Sequence, residues 1–413
     1  MPENYRRKHQ SSKKEKEIIS AFIQQGCMDL QLYFDPVDFE QFQTEKKFNK
    51  NSLGYFIERA TGNIKDGGTG KATLVLFGVP YDKKTPNKGT SKAPFEIRKH
   101  LYQLSSLEAS ISIIDLGNLK PGKSDQDLYF ALRDVTDYLR EAGVISVILG
   151  GGQDISIGIA RAFQSVNEFT LTIADARVDI KSQREASDSS NFITRILREN
   201  PTLFHLQMIG VQKHYIAPAV FDFLKQNTFD YLQLGTFRDE PASIEPLLRN
   251  THFLSFDISS IKKSDAEGHF NPSPNGFYAE EACLIARYAG LSNRLMAFGL
   301  FEVNPALDKT GITSELAAQI TWYFIEGSAH RRKEDPSKSK DPFTQYNVEV
   351  EGHGETMVFY HQHITNRWWV EIFPEEGKSW IIACKENDYK QSIGKEIPEI
   401  YWRYVRKTTR LSK

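Results

Sequence analysis

The sequence predicts an α/β protein of three layers, with an eight-stranded, mostly parallel sheet between two layers of helices and a small β-containing appendage at the C-terminal end. Three observations predict it. Across residues 72–303, short β-branched or apolar runs alternate with turns and amphipathic stretches, the pattern of parallel strands joined by crossover helices. A charged stretch with Pro and Ser, HRRKEDPSKSKDP (330–342), then interrupts the pattern as a linker or exposed loop does. Beyond it the alternation shortens to a period of two with Gly and Asn turn signals, which predicts antiparallel strands. The chain thus divides into a polar segment (1–29), an α/β domain (30–335) and an aromatic-rich extension (336–413).

The opening segment, MPENYRRKHQSSKKEKE, is charged where a secretory signal needs an apolar stretch. Its Arg6, Arg7, Lys8, Lys13 and Lys14 suit a solvated terminus. The expected strands are TLVLFGV (73–79), SISIIDLG (110–117), VISVILGG (144–151), FTLTIAD (169–175), FHLQMIGV (204–211), YLQLGTF (231–237), HFLSFDI (252–258) and RLMAFGLFEV (294–303). Between the second and third, residues 124–143 place apolar side chains at helical spacing and end in glycine, as a crossover helix does. Thr313 or Ser314 is expected to N-cap a last helix running through ELAAQITWYFIEG. In the extension, Trp368, Trp369, Trp380, Tyr401 and Trp402 are expected to fasten it to the core or to a neighbouring subunit. His361 and His363 lack a Cys, His or acidic partner at metal spacing, so they read as packed rings rather than metal ligands.

Composition narrows the function. Fifty-two Lys and Arg against 53 Asp and Glu leave no electrostatic footprint for nucleic acid or an anionic membrane. No run approaches the ~20 apolar residues of a membrane span, and a cytoplasmic protein is expected. Cys27, Cys283 and Cys384 are widely spaced and lack CxxC pairing, which argues against a disulfide framework or zinc knuckle. Gly150, Gly151 and Gly152 lack the Lys and spacing of a P-loop, so no nucleotide cofactor is expected.

In an open α/β sheet, ligands bind beyond the carboxyl ends of the strands. Four expected strand ends carry polar clusters there: GGGQDIS (150–156), DARVD (175–179), SFDISS (255–260) and FEVNPALD (301–308). Asp175, Asp179 and Asp257 can cap turns in such places or gather into a site. Gln153 can be a structural hydrogen bonder, Arg177 an ordinary ion pair, and Glu302 a loop anchor.

These motifs resemble those of the arginase, agmatinase and formimidoylglutamase superfamily, which carries a glycine pair followed by His, then DAHxD, then SxDxD, in this order. Further matches are FGVPYD (77–82), the stretch from Gly89 through Pro94 to Arg98, PNGF with the following Glu280 and Glu281, and EVNPALD (302–308). Together they span roughly residues 30–330, and GGGQD is most similar to the GGGHE of formimidoylglutamases. The resemblance implies an arginase-like ureohydrolase domain and a homo-oligomer.

The resemblance also implies a chemistry. In that family two His and four Asp hold two divalent ions sharing a hydroxide, which attacks an amidine or guanidine carbon. Here the six positions read Gln153, Asp175, Arg177, Asp179, Asp257 and Ser259. One metal's share persists as Asp175, Asp179 and Asp257 with a neutral Gln153, so one Mn²⁺ or Mg²⁺ is the cofactor expected. The other metal's share has become Arg177 and Ser259. Three ionised carboxylates and one guanidinium leave a charge of −3 + 1 = −2, which one divalent ion balances. The Arg177 guanidinium is expected in the second metal's place, bridging Asp175 and Asp257.

Glu302 matches a carboxylate that binds the cationic part of the substrate, and Ser190 and Asn191 are candidate ligand contacts. SSNFITRIL (189–197) supplies no histidine to relay a proton. The reading is a formimidoylglutamase-like protein, impaired or non-catalytic, that binds a small amidine or guanidine or regulates. Its alternative is an active amidine hydrolase working with one metal held by Asp175, Asp179, Asp257 and Gln153, with Asp175, Asp257 and Glu302 as the catalytic candidates. The extension is a candidate site for a protein partner.

Overall fold

The computed structural model describes residues 28–43, 47–59, 73–109, 111–181, 188–201, 203–349, 356–375 and 378–411. The basic start, all but the last two positions of the 1–29 segment, and Cys27 lie outside the described residues.

The strands are β1 (Phe34–Asp35), β2 (Glu58–Arg59), β3 (Leu74–Gly78), β4 (Ile113–Leu119), β5 (Ile145–Leu149), β6 (Thr170–Ala174), β7 (His205–Val211), β8 (Asp230–Gln233), β9 (Phe253–Asp257) and β10 (Ala297–Phe301). They form one ten-stranded sheet in the order β1-β4-β3-β5-β10-β9-β6-β7-β8, with β2 also paired to β4. Only β1 runs antiparallel to its neighbour. All eight expected runs contain a strand. The count of eight is corrected to ten by β1 and β2, two-residue edge strands too short to show any periodicity.

Alternation along the strands builds the three layers. Leu74 and Leu76 of β3 face one apolar cluster with Leu254, Phe256, Phe298 and Leu300. Val75 and Phe77, between and beyond them, face a second cluster with Leu171, Ile173, Phe253 and Phe301. Both faces of the sheet are therefore covered, as a parallel sheet requires.

Local signals decide most helix ends. Ser124 accepts from the Asp127 amide at 3.2 Å while Asp127 accepts from the Ser124 amide at 2.9 Å, a capping box that starts the helix Asp125–Glu141. Two expectations are corrected. Residues 231–237 are not one strand: β8 stops at Gln233 and a helix, Leu234–Asp239, follows, burying Leu234 and Phe237 at helical spacing. The last helix of the domain, Ile312–Ala329, begins after a left-handed Gly311. Its cap is neither Thr313 nor Ser314 but the Asp308 carboxylate, which accepts from their amides at 3.0 and 2.8 Å.

The extension forms a four-stranded antiparallel sheet, β11 (Thr344–Glu349), β12 (Thr356–Gln362), β13 (Arg367–Glu375) and β14 (Lys378–Cys384), with helices Glu386–Ile393 and Glu399–Leu411. It packs on the amino ends of the parallel strands. Just before β9, Arg249 donates to the Trp368 and Cys384 carbonyls, both at 3.1 Å, and lies 4.5 Å from the Trp369 ring centroid. Asn250 exchanges two hydrogen bonds with Ala383, at 3.1 and 2.9 Å. Phe204, just before β7, meets Trp380 and Tyr404.

The stretch 330–342 is a strap rather than a free linker. Arg331 donates to the Gly290 and Leu295 carbonyls at 2.6 and 2.9 Å, and buried Glu334 pairs with Arg367 at 3.1 Å. The His361 ring stacks on Trp368 at 4.1 Å, and His363 bonds Thr344 at 2.7 Å. Cys283 and Cys384 are free and buried, and burial pushes the Cys283 thiol up to about 12. Among the described residues no helix is long and apolar enough to cross a membrane.

Candidate functional site

The four polar strand ends, scattered through the sequence, follow β5, β10, β9 and β6, which are consecutive in the sheet. Their carboxyl ends therefore form one rim, on the side opposite the extension.

After β5 the chain turns sharply through Gly150 and Gly151, both left-handed with φ of 78° and 82°. A side chain at Gly151 would also press on the Val79 and Tyr81 carbonyl oxygens, which lie 2.9 and 3.0 Å from the point its Cβ would occupy. The turn delivers the Gln153 amide to Glu302 Oε1 at 2.8 Å. Glu302 has a left-handed φ of 64°, which costs a residue with a side chain about 1–3 kcal/mol and is held only when surroundings over-determine it. They do. Its Oε2 accepts from Thr85 Oγ1 at 2.9 Å and Asn87 Nδ2 at 3.1 Å, and its main-chain oxygen accepts from Asn87 Nδ2 at 2.7 Å. Burial, then the nearby Asp257, raise the Glu302 carboxyl to about 7 against these donors.

Asp175 and Asp257 end β6 and β9 in the same way. Asp175 Oδ1 accepts from the Arg177 amide at 2.8 Å, and Asp257 Oδ1 from the Ser259 amide at 2.6 Å. Both cap turns, so the capping role and the site role coexist in the same side chains. Burial first, then the charge of neighbouring carboxylates, hold Asp175 and Asp257 well above the usual carboxylate range. Asp179 is raised to about 7, first by burial and then by the charge of Asp257.

The expectation that Arg177 bridges Asp175 and Asp257 is corrected. Its guanidinium carbon lies 4.2 Å from the Tyr215 ring centroid. Its amide already caps Asp175, and the ring face stabilises the partly exposed cation without full desolvation. Its charge still lowers both carboxyls, after the larger effects already named. Ser259 is buried beside Asp257.

Gln153 is fully buried, with Nε2 donating to Ser255 Oγ at 3.1 Å and Oε1 left without a partner. Ser190 and Asn191 belong to a turn closed on Asp188. Ser190 Oγ donates to Asp188 Oδ1 at 2.7 Å and accepts from Lys181 at 2.6 Å, while Asn191 Oδ1 accepts from the Asp188 amide at 2.9 Å.

Three contributors escaped the sequence reading. Thr85 and Asn87 hold Glu302 from more than 200 residues away, and their only signal was their place just after FGVPYD. Buried His269 accepts from the Asn271 amide at 3.1 Å through Nδ1, and burial lowers it to about 4, with the Arg177 charge adding to the shift. A single His in an irregular loop offers no spacing to recognise.

A hard divalent ion suits carboxylate oxygens, but the donor set falls short of a metal pair. Beside the three aspartates stand an amide (Gln153), a cation (Arg177) and a hydroxyl (Ser259). Among the described residues, no three or more His, Cys, Asp or Glu side chains are grouped so as to hold an ion. Among the described residues Gln153 Oε1 has no partner, which fits a single ion.

The carboxylates themselves yield a prediction. The Asp179 carboxyl is raised from 3.8 to about 7. An acid raised on folding contributes stability that is fully present below its unfolded value and lost as pH climbs through the folded one. With chelator present, Asp179→Asn should therefore stabilise the chain by roughly 1–3 kcal/mol more near pH 8 than near pH 5. Urea unfolding at the two pH values measures this, and an equal effect at both would refute the raised Asp179 carboxyl.

Comparison with known proteins places this architecture. A family model described as "Arginase family" matches residues 72–326, more than half of the 413. A formimidoylglutamase of Staphylococcus haemolyticus is 23% identical over 308 residues, 70% of this chain and 94% of the relative. The Bacillus subtilis formimidoylglutamase structure superposes with a TM-score of 0.62 at 21% identity, covering 70% of this chain and 96% of that one. Trypanosoma cruzi formiminoglutamase, solved with a Mn²⁺ pair, gives 0.59 at 21% identity, with coverage of 63% and 95%. Likenesses at this identity establish the shared fold.

Proposed function

Because the chain belongs to the arginase family, we propose that its carboxylate rim binds a small amidine or guanidine cation and does not hydrolyse it by two-metal chemistry. The observation that carries this reading is the set of residues beside the aspartates: Gln153, Arg177 and Ser259 stand where the family resemblance implies metal ligands. A bridging hydroxide needs two ions, and the side chains for the second are a cation and a neutral hydroxyl. What remains suits recognition. Asp175, Asp179 and Asp257 concentrate negative potential at a buried rim, and a cationic ligand would draw them into ionisation. Glu302 is locked in one orientation by Thr85, Asn87 and Gln153, as a positioning carboxylate should be. The relatedness to formimidoylglutamases favours a formimidoyl or similar amidine group on the ligand.

A second reading has its own support in the unpartnered Gln153 Oε1. Asp175, Asp179, Asp257 and this amide oxygen would hold one Mn²⁺ or Mg²⁺, which would supply a polarised water.

Metal counting on chain equilibrated with excess Mn²⁺, together with calorimetry using formamidine and guanidinium salts, separates the readings. Fewer than one ion per chain, with amidine binding and no ammonia or formamide release, is the expected result. One tight ion with turnover lost in Asp257→Ala establishes the second reading. Two ions with turnover overturn both.

A further inference from the structure

We propose a second ligand site, independent of the carboxylate rim, for a small apolar carboxylate that also carries an O–H or N–H donor. It lies at the opposite end of the sheet, where the C-terminal helix Glu399–Leu411 closes over the ends of two core helices, Phe192–Glu199 and Pro218–Gln226. A cavity of about 300 Å³ opens there, walled by Leu197, Leu203, Phe204, Phe223 and Phe229.

Two polar groups in this apolar wall are left unmet. Lys407 is only 4% exposed, and its Nζ has no hydrogen-bond partner among the described residues. The rings of Phe204, Phe229 and Tyr404 surround it at 5.5, 5.9 and 5.5 Å from their centroids. Ring faces stabilise a cation but do not satisfy its three N–H donors as an oxygen does. Among the described residues no carboxylate lies within ion-pair distance of it, and it is the one charged residue lining the cavity. Asn200, 1% exposed, donates through Nδ2 to the Ile196 carbonyl at 3.0 Å, while its Oδ1 has no partner.

A buried donor cation and a buried acceptor within aromatic walls are the features of a small-molecule pocket: an apolar body and a few convergent polar contacts. A carboxylate supplies the missing counter-charge to Lys407, and a hydroxyl or amino group meets Asn200 Oδ1. A neutral apolar molecule leaves both unmet, and a dianion leaves one charge uncompensated. The site also gives the extension a role, because Lys407 reaches the cavity only when that helix is docked.

Calorimetry and ligand-observed NMR on the full chain test this with three probes, 3-hydroxybenzoate, benzoate and 3-hydroxybenzyl alcohol. The expected order is 3-hydroxybenzoate, then benzoate, then the alcohol, with the alcohol at least about tenfold weaker than the hydroxy acid. Lys407→Met should abolish carboxylate binding while leaving the urea midpoint unchanged or higher, since it removes an unpaired buried charge. Asn200→Ala should erase the advantage of the hydroxy acid over benzoate. The carboxylate-to-alcohol ratio is read on the unsubstituted chain, so it stands even if a variant misfolds. A ratio near one, no carboxylate binding at millimolar concentration, or binding that survives Lys407→Met overturns the proposal, and the second would mean that water alone fills the cavity.

Discussion

Asp115→Ala should lower the unfolding free energy by about 3–5 kcal/mol, the largest single-site effect expected in this chain. Asp115 lies in β4 and is buried against Arg98 of the helix Ala93–Leu101. The guanidinium meets the carboxylate through two parallel bonds, Nε to Oδ2 at 2.8 Å and Nη2 to Oδ1 at 2.9 Å. Its other donors reach Asn118 Oδ1 and the Gly117 carbonyl, both at 2.8 Å. Tyr102 also donates to Asp115, and the Gly117 amide does so at 2.7 Å.

Both charges are fully out of water, so their attraction is offset by desolvation, and the intact pair is worth less than its bond count suggests. Removing one partner is different. The guanidinium then remains buried without a counter-charge, and the Tyr102 hydroxyl loses its acceptor. The urea midpoint measures the loss, and a value below about 1 kcal/mol would show that the pocket relaxes to admit water. The double variant Asp115→Leu with Arg98→Met should lose much less than the sum of the two single changes, because neither charge is left behind.

The second large effect concerns the rim. Combining Gln153→His, Arg177→His and Ser259→Asp should raise the Mn²⁺ content from fewer than one ion per chain to two. Charge explains the expected size of the change. Four carboxylates would carry −4 against two divalent ions, whereas the present set carries −3 + 1 = −2 at full ionisation. Metal loading should also offset the crowding that now keeps protons on Asp175, Asp179 and Asp257. At a free Mn²⁺ concentration 100 times the dissociation constant, each ion adds about 2.7 kcal/mol to stability. Elemental analysis and the metal-dependent shift in unfolding midpoint read the outcome. A folded triple variant that still holds no pair would show that the surrounding loops, and not these three positions alone, have left the metal-binding geometry.

Much of the fold was legible because its signals are local. The crossover helix Asp125–Glu141 announces itself in a capping box within four residues, and the central strands in apolar runs with turns at both ends. The segment after Gln233 misled because two turns of evidence were needed and one apolar run was read as continuing. The edge strands β1 and β2 exist only because β4 offers them partners.

The sequence by itself determined the α/β class, the order of the strand-end motifs and the family resemblance. Tertiary structure alone decided that those motifs share one rim, that Arg177 rests on Tyr215 instead of bridging aspartates, and that Thr85 and Asn87 lock Glu302. It also decided that the extension closes the far end of the sheet and buries Lys407 there. The physical reason is common to all of these. Helix and strand propensity act over a few neighbouring residues, whereas the state of a buried charge depends on which donors, rings and carboxylates the folded chain brings within a few ångströms of it.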